Sequence, residues 1–181
     1  MLYLILGKSA SGKTTILNKL MQDKDFASKV VELKSHTTRP IRPNEENGRE
    51  YIFDTREQFN DYFRRDDILE YAVYYTYKGT WVYYTLKSDL VDDANMIKII
   101  NPVGFCQIRQ SVKDIKSVYI DVSDEERLRR LVVRGDDETE VRDRFERDEE
   151  DFKYIKTDYV INGEKSEDEI INEIKNIILR G

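Results

Sequence analysis

Residues 7–14 read GKSASGKT, which fits G-x-x-x-x-G-K-[ST], a spacing suited to gripping phosphate. Gly7 and Gly12 permit backbone angles that turn successive N–H groups inward around an anion. A helix starting at Lys13 would aim the positive end of its dipole at the same point. Lys13 is then placed to reach the β- and γ-phosphates of a nucleoside triphosphate, and the Thr14 hydroxyl to ligate Mg²⁺. The binding stretch comprises Gly7, Ser9, Ala10, Ser11, Gly12, Lys13, Thr14 and Thr15. Arg39 and Arg42, three apart in SHTTRPIRP, add forked donors that match a dianionic phosphate, although a solvated basic turn has the same composition. Seven more arginines lie between 127 and 147 among Asp and Glu: Arg127, Arg129, Arg130, Arg134, Arg142, Arg144 and Arg147. For Arg127, Arg129 and Arg142 the expected role is i,i+4 lacing of exposed helices.

These groups need elements to hold them. Leu2–Leu6 is a short apolar run ending at glycine, the pattern of a buried parallel strand, and residues 13–22 follow as a helix. Residues 96–100, 118–120 and 159–161 read as further strands. Capping boxes at Thr55…Gln58, Ser123…Glu126 and Ser166…Glu169 announce helices, the last carrying Ile170, Ile171, Ile174, Ile177 and Ile178 at helical period. This alternation predicts an α/β fold: a three-layer domain around a parallel sheet. Residues 35–86 break the rhythm with β-formers around a hairpin at Lys78-Gly79, a small mixed β insertion. Residues 134–152 are almost wholly charged and predict an exposed helical flap. The expected layout is a single domain over 1–181, with core 1–34, 87–133 and 153–181.

The chain has 181 residues, 39% apolar and 36% charged, with net charge −6. That sign argues against a general affinity for nucleic acid or an anionic membrane, so any bound anion needs a local basic cluster. Cys106 is the only cysteine, which excludes an intrachain disulfide and a cysteine-rich metal site. No apolar run approaches membrane-spanning length. The expectation is a cytoplasmic protein, monomer or homodimer.

With the loop, Ser35-His36-Thr37-Thr38-Arg39-Pro40-Ile41-Arg42 and Glu50-Tyr51-Ile52-Phe53 in order, the chain resembles the guanylate kinase family, whose pattern is S-x-T-T-R-x-x-R followed by D/E-Y-x-F. The resemblance implies a P-loop NTPase-type fold and Mg²⁺-dependent transfer from ATP to a nucleoside monophosphate. It implies that Ser35, Arg39, Arg42 and Tyr51 hold the acceptor phosphate and that Glu70 reads guanine. Trp81-Val82-Tyr83-Tyr84-Thr85-Leu86-Lys87 is similar to the family's W-x-Y-G-[ST]-x-K, which carries Tyr83 to the acceptor phosphate and Thr85 to the base. An alternative register would place Lys78-Gly79-Thr80 there. Arg134 and Arg144 match the lid arginines and, with Lys13, form the implied catalytic set.

Two departures matter. Tyr84 stands where the family has glycine and would crowd the acceptor pocket or shift the backbone. Asn101 stands where many guanylate kinases carry an aspartate; it keeps an oxygen but loses the charge, which weakens its hold on Mg²⁺ or the acceptor. Together they keep open a broader or virus-type deoxynucleoside monophosphate kinase. A non-catalytic guanylate-kinase-like module that binds protein partners is a further alternative, which the intact phosphate loop disfavours.

Overall fold

Every side chain of Leu2–Leu6 is buried, as a strand needs when both faces of its sheet are covered. The computed structural model describes residues 1–181 except 77, 135–137 and 181; the side chains of 134, 138–140, 143 and 144 also lie outside the described set. In chain order the elements are β1 (Leu2–Leu6), α1 (Lys13–Gln22), α2 (Lys24–Ala27), β2 (Val30–Glu32), β3 (His36–Thr37), β4 (Ile52–Phe53), α3 (Arg56–Arg64), β5 (Ile68–Thr76) and β6 (Gly79–Leu86). After a 3-10 turn at Lys87–Asp89 come β7 (Asn95–Ile99), α4 (Pro102–Ser111), β8 (Ile115–Asp121), α5 (Asp124–Arg134), α6 (Glu138–Phe152), β9 (Tyr159–Asn162) and α7 (Glu167–Arg180). The chain divides into two compact units: Met1–Val31 with Ala94–Pro102 and Asp114–Gly181, and Glu32–Asp93 with Val103–Lys113.

In the first unit the sheet order is β2-β7-β1-β8-β9, so β1 is central. It runs parallel to β7 and β8, and β8 runs parallel to β9. The isoleucine stripe of α7 buries Ile170, Ile174 and Ile178 in one cluster with Ile16, Leu17 and Leu20 of α1 and Tyr3 and Ile5 of β1. Each such side chain contributes roughly 1.5–3 kcal/mol by leaving water. Among the described residues no helix is long and apolar enough to cross a membrane.

Two of the expected capping boxes close in both directions, Thr55 with Gln58 and Ser166 with Glu169. Ser123 completes only half of its box. Its hydroxyl accepts from the Glu126 N–H, but its own N–H donates to Glu164. The Glu126 carboxylate is drawn instead to Arg129 and Arg130, since charge-assisted bonds to guanidinium outcompete a neutral amide.

The second unit holds a mixed sheet in the order β4-β3-β6-β5, with β3 parallel to β4 and the other two pairs antiparallel. Side chains alternate across it. Glu70, Ala72 and Tyr74 of β5 lie opposite Thr85, Tyr83 and Trp81 of β6, and these share one face. Tyr71 and Val73, opposite Tyr84 and Val82, share the other. On that second face Phe59 of α3 packs with Val82, Tyr84 and Leu86. Pairing closes at Thr76–Gly79, at the expected hairpin. At the open edge of β5 the Gln107 amide takes a strand's place, accepting from the Tyr71 N–H (3.0 Å) and donating to its carbonyl (2.9 Å).

Candidate functional site

In the first unit the glycine-rich loop joins β1 to α1. A Cβ on Gly7 would lie 2.8 Å from the Ile120 carbonyl oxygen, so the strand next door leaves room only for glycine. Gly12 caps α1 at φ +90°, a left-handed angle open to glycine, and no side chain caps that helix. Its first-turn amides are therefore available to an anion. Lys13 folds back over the loop, its ammonium donating to the carbonyls of Gly7 (2.6 Å) and Lys8 (2.9 Å) and to Ser11 Oγ (3.2 Å). Burial drives its pKa down to about 8, Asp148 pulling upward and Arg127 adding to the fall. Thr14 and Thr15 stand exposed in the first turn of α1, and Ala10 takes a left-handed φ of 61°.

The expectation of surface lacing holds for Arg129, which pairs with Glu126, and for Arg142, which faces Glu146 at 4.0 Å. Arg127 overturns it, being wholly buried with its Nε donating to the Ser9 carbonyl at 2.9 Å. A planar five-donor head can satisfy several loop and helix acceptors at once, which allows full burial. Arg134 ends α5 and Arg144 lies within α6; their side chains are outside the described set.

In the second unit, Arg39 is 7% exposed and sits on the face of Tyr83 and Thr37. Its Nε donates to the Tyr83 hydroxyl at 3.0 Å, and its two terminal nitrogens bind both oxygens of Glu45 at 2.8 and 3.0 Å. Its guanidinium lies 5.7 Å from the Tyr51 ring centre, and Tyr51 meets Tyr83 edge to face. Burial raises the Tyr51 pKa, keeping it a neutral hydroxyl donor. The Arg42 side chain is exposed, while its N–H donates to Glu45. Ser35 accepts from the Ile52 N–H through its carbonyl, which ties it to β4. Further along the same sheet, Glu70 is 3% exposed and accepts from the Thr85 hydroxyl. The structure thus groups Arg39, Tyr51 and Tyr83, and separately Glu70 and Thr85. Asn101 follows β7 in the first unit, whereas the other seven residues expected on the acceptor side belong to the second.

Tyr84 does not crowd that face. Strand alternation turns it to the opposite side, where it is fully buried against Phe59 and its hydroxyl donates to Asp54. The same carboxylate meets His36 Nδ1 (2.5 Å), Asp89 meets Nε2 (3.1 Å), and the imidazole stacks on Tyr84. Burial disfavours the imidazolium, but the bonds to Asp89 and Asp54 outweigh it and the pKa rises. Both carboxylates that hold His36 lie far along the chain, 18 and 53 residues away, where its sequence neighbourhood gives no sign of them. Sequence reasoning also misses Glu45, whose only signal is an acid six residues past Arg39. Arg39 holds that carboxyl below its ordinary pKa.

A glycine-rich loop at the end of the central parallel strand, closed by a half-buried lysine and opening a helix, defines a phosphate-loop nucleotide-binding protein. The family profile described as "Guanylate kinase" matches residues 1–180. The guanylate kinase of Baumannia cicadellinicola subsp. Homalodisca coagulata is 37% identical over 144 residues, covering 78% of this chain and 70% of that protein. The guanylate kinase of Vibrio parahaemolyticus is 35% identical over 168 residues, covering 88% and 78%. The crystal structure of guanylate kinase from Anaplasma phagocytophilum superposes with a TM-score of 0.73 at 25% identity, over 99% of this chain and 85% of that one. The chain belongs to the guanylate kinase family, whose members are nucleoside monophosphate kinases.

Proposed function

We propose that this chain transfers a phosphoryl group from ATP to GMP or dGMP, giving ADP and GDP or dGDP. The observation that carries the reading is a full-length family match on a chain whose phosphate loop is complete, with Lys13 held against it. Gly7, Ser9, Ala10, Ser11, Gly12, Lys13, Thr14 and Thr15 grip ATP through backbone amides and the Lys13 ammonium. Ser35, Arg39, Arg42, Tyr51 and Tyr83 hold the acceptor's phosphate, with Asn101 also serving the acceptor. Glu70, assisted by Thr85, reads the base. A carboxylate accepts from guanine's adjacent N1–H and N2 amine, whereas adenine presents an acceptor at N1 and is repelled. Arg134 and Arg144, within a lid over 134–152, stabilise the phosphates in transit and keep water out.

Mg²⁺ suits the donor side. The exposed Thr14 hydroxyl, in the first turn of α1 beside the loop, would help hold it together with oxygens of the nucleotide's phosphates. When bound, the ion neutralises charge on those phosphates. The same reading makes the protein a cytoplasmic monomer or homodimer with no nucleic-acid or membrane partner, as its net charge of −6 supports.

The test is an ADP-release assay over a panel of monophosphates. GMP and dGMP should dominate. Turnover of dTMP or dCMP at matching rates would refute guanine selectivity. Failure to bind ATP with Mg²⁺ in calorimetry would refute the catalytic reading and favour a binding module.

A further inference from the structure

The carbonyls of the phosphate loop are held by cations. Lys13 takes those of Gly7 and Lys8, Arg127 takes that of Ser9 at 2.9 Å, and Arg130 takes that of Ala10 at 3.3 Å. Holding carbonyls on one side presents the intervening N–H groups on the other, which is how a run of amides becomes an anion site. Arg127 is the anchor of this set. It is fully buried, and its remaining donors reach Asp124 Oδ1 (2.6 Å) and Asp148 Oδ2 (2.5 Å). Its guanidinium carbon lies 4.2 Å from the ring centre of Phe145. Asp148, from α6, has a second partner: it accepts from the Ser9 N–H at 2.7 Å. Both polar groups of the Ser9 backbone are therefore fixed, the carbonyl by Arg127 and the amide by a carboxylate bound to the same Arg127. Next to this, Lys8 is paired with Glu149.

We propose that Arg127 and Asp148 are positioning residues of the ATP site: Arg127 sets the orientation of the phosphate loop through Ser9, and Asp148 is the anion that occupies the Ser9 amide until a phosphate replaces it. Both charges bear on Lys13, Asp148 favouring its ammonium form and Arg127 opposing it, so they lie within electrostatic reach of the group that meets the donor. Because Asp148 is carried by α6, nucleotide entry also removes one of the ties between this helix and the loop. The inference rests on the proposed use of ATP, and the controls below separate the two.

The experiment measures ATP–Mg²⁺ affinity by calorimetry and KM for ATP and GMP separately, using the full chain with Arg127→Met, Asp148→Asn and the double change. Wild-type protein that binds no ATP would defeat the catalytic reading itself. With wild-type binding intact, Arg127→Met should raise both Kd and KM for ATP by about tenfold or more while KM for GMP stays within about twofold. Asp148→Asn keeps an oxygen for the Ser9 amide and removes the charge that competes with phosphate, so it should tighten ATP binding several-fold. A lower melting temperature with unchanged ATP affinity would make Arg127 merely structural and overturn its role. Weaker ATP binding in Asp148→Asn would overturn the placeholder role. If Arg127→Met does not fold, Arg127→Lys retains charge but not the three-way donor geometry. It should weaken ATP binding in the same direction, and unchanged affinity there would equally overturn the role of Arg127.

Discussion

Replacing Glu70 with glutamine tests its proposed reading of the base apart from the rest of the reaction. Glu70 is 3% exposed and already accepts from the Thr85 hydroxyl, so its carboxylate is fixed in place and shielded from water. Glutamine has nearly the same shape. It exchanges one acceptor oxygen for an NH₂ donor, which either breaks with Thr85 or faces a guanine donor. One lost charge-assisted contact in a buried site costs about 1–3 kcal/mol. At about 1.4 kcal/mol per tenfold, kcat/KM for GMP should fall roughly 5- to 150-fold. AMP gains an amide donor opposite its N1 acceptor, so the GMP/AMP ratio should fall further than the GMP value alone. Coupled ADP-release kinetics with each acceptor, together with calorimetry of ATP–Mg²⁺, would read both quantities. ATP affinity should remain within about twofold, because the donor loop and Glu70 share no residue. Unchanged GMP efficiency, or an equal loss of ATP binding, would refute the reasoning.

Other consequences can be tested alongside it. With a pKa near 8, Lys13 should react with an amine-selective reagent at pH 8 faster than exposed lysines such as Lys29, and ATP–Mg²⁺ should suppress that reaction; peptide mass spectrometry reports both. His36 has a raised pKa in the fold, so its ion pairs stabilise fully below the unfolded value of about 6.5 and are lost as pH rises through the folded value. The stability gap between wild type and His36→Asn in urea should therefore narrow as pH rises above about 6.5, and a constant gap would contradict this. Tyr84→Phe leaves Asp54 short of a donor and should cost about 1–3 kcal/mol in urea unfolding while leaving KM for GMP unchanged. Tyr83→Phe should do the reverse, raising KM for GMP about three- to tenfold with little effect on stability.

Much of this is legible in the sequence because local rules fix it. The phosphate loop is contiguous, so motif spacing alone locates Gly7 to Thr15. The stripe from Ile170 to Ile178 and the boxes at Thr55 and Ser166 likewise depend on residues a few positions apart. What sequence alone misreads involves distant partners. Arg127 sits on a charged helix and has the pattern of a solvated residue, yet its acceptor at Ser9 is 118 residues away. Ser123 loses half of its box to Glu164, 41 residues on. Tyr84 looks disruptive beside the glycine it replaces, whereas the pleat decides the matter by sending it to the other side. Helical period and capping are written along the chain, but the choice of ion-pair partner is made only once elements pack.

The alternation of β6 also constrains how this arm can change over evolutionary time. Because Tyr83 and Tyr84 serve opposite faces, inserting or deleting one residue upstream within the strand would exchange their tasks, sending the partner of Arg39 into the core and a core aromatic onto the face of Arg39. Changes in pairs would preserve the parity. Length drift between Gly79 and Tyr83 should therefore be tolerated in even steps, and a lone odd step would need a compensating bulge.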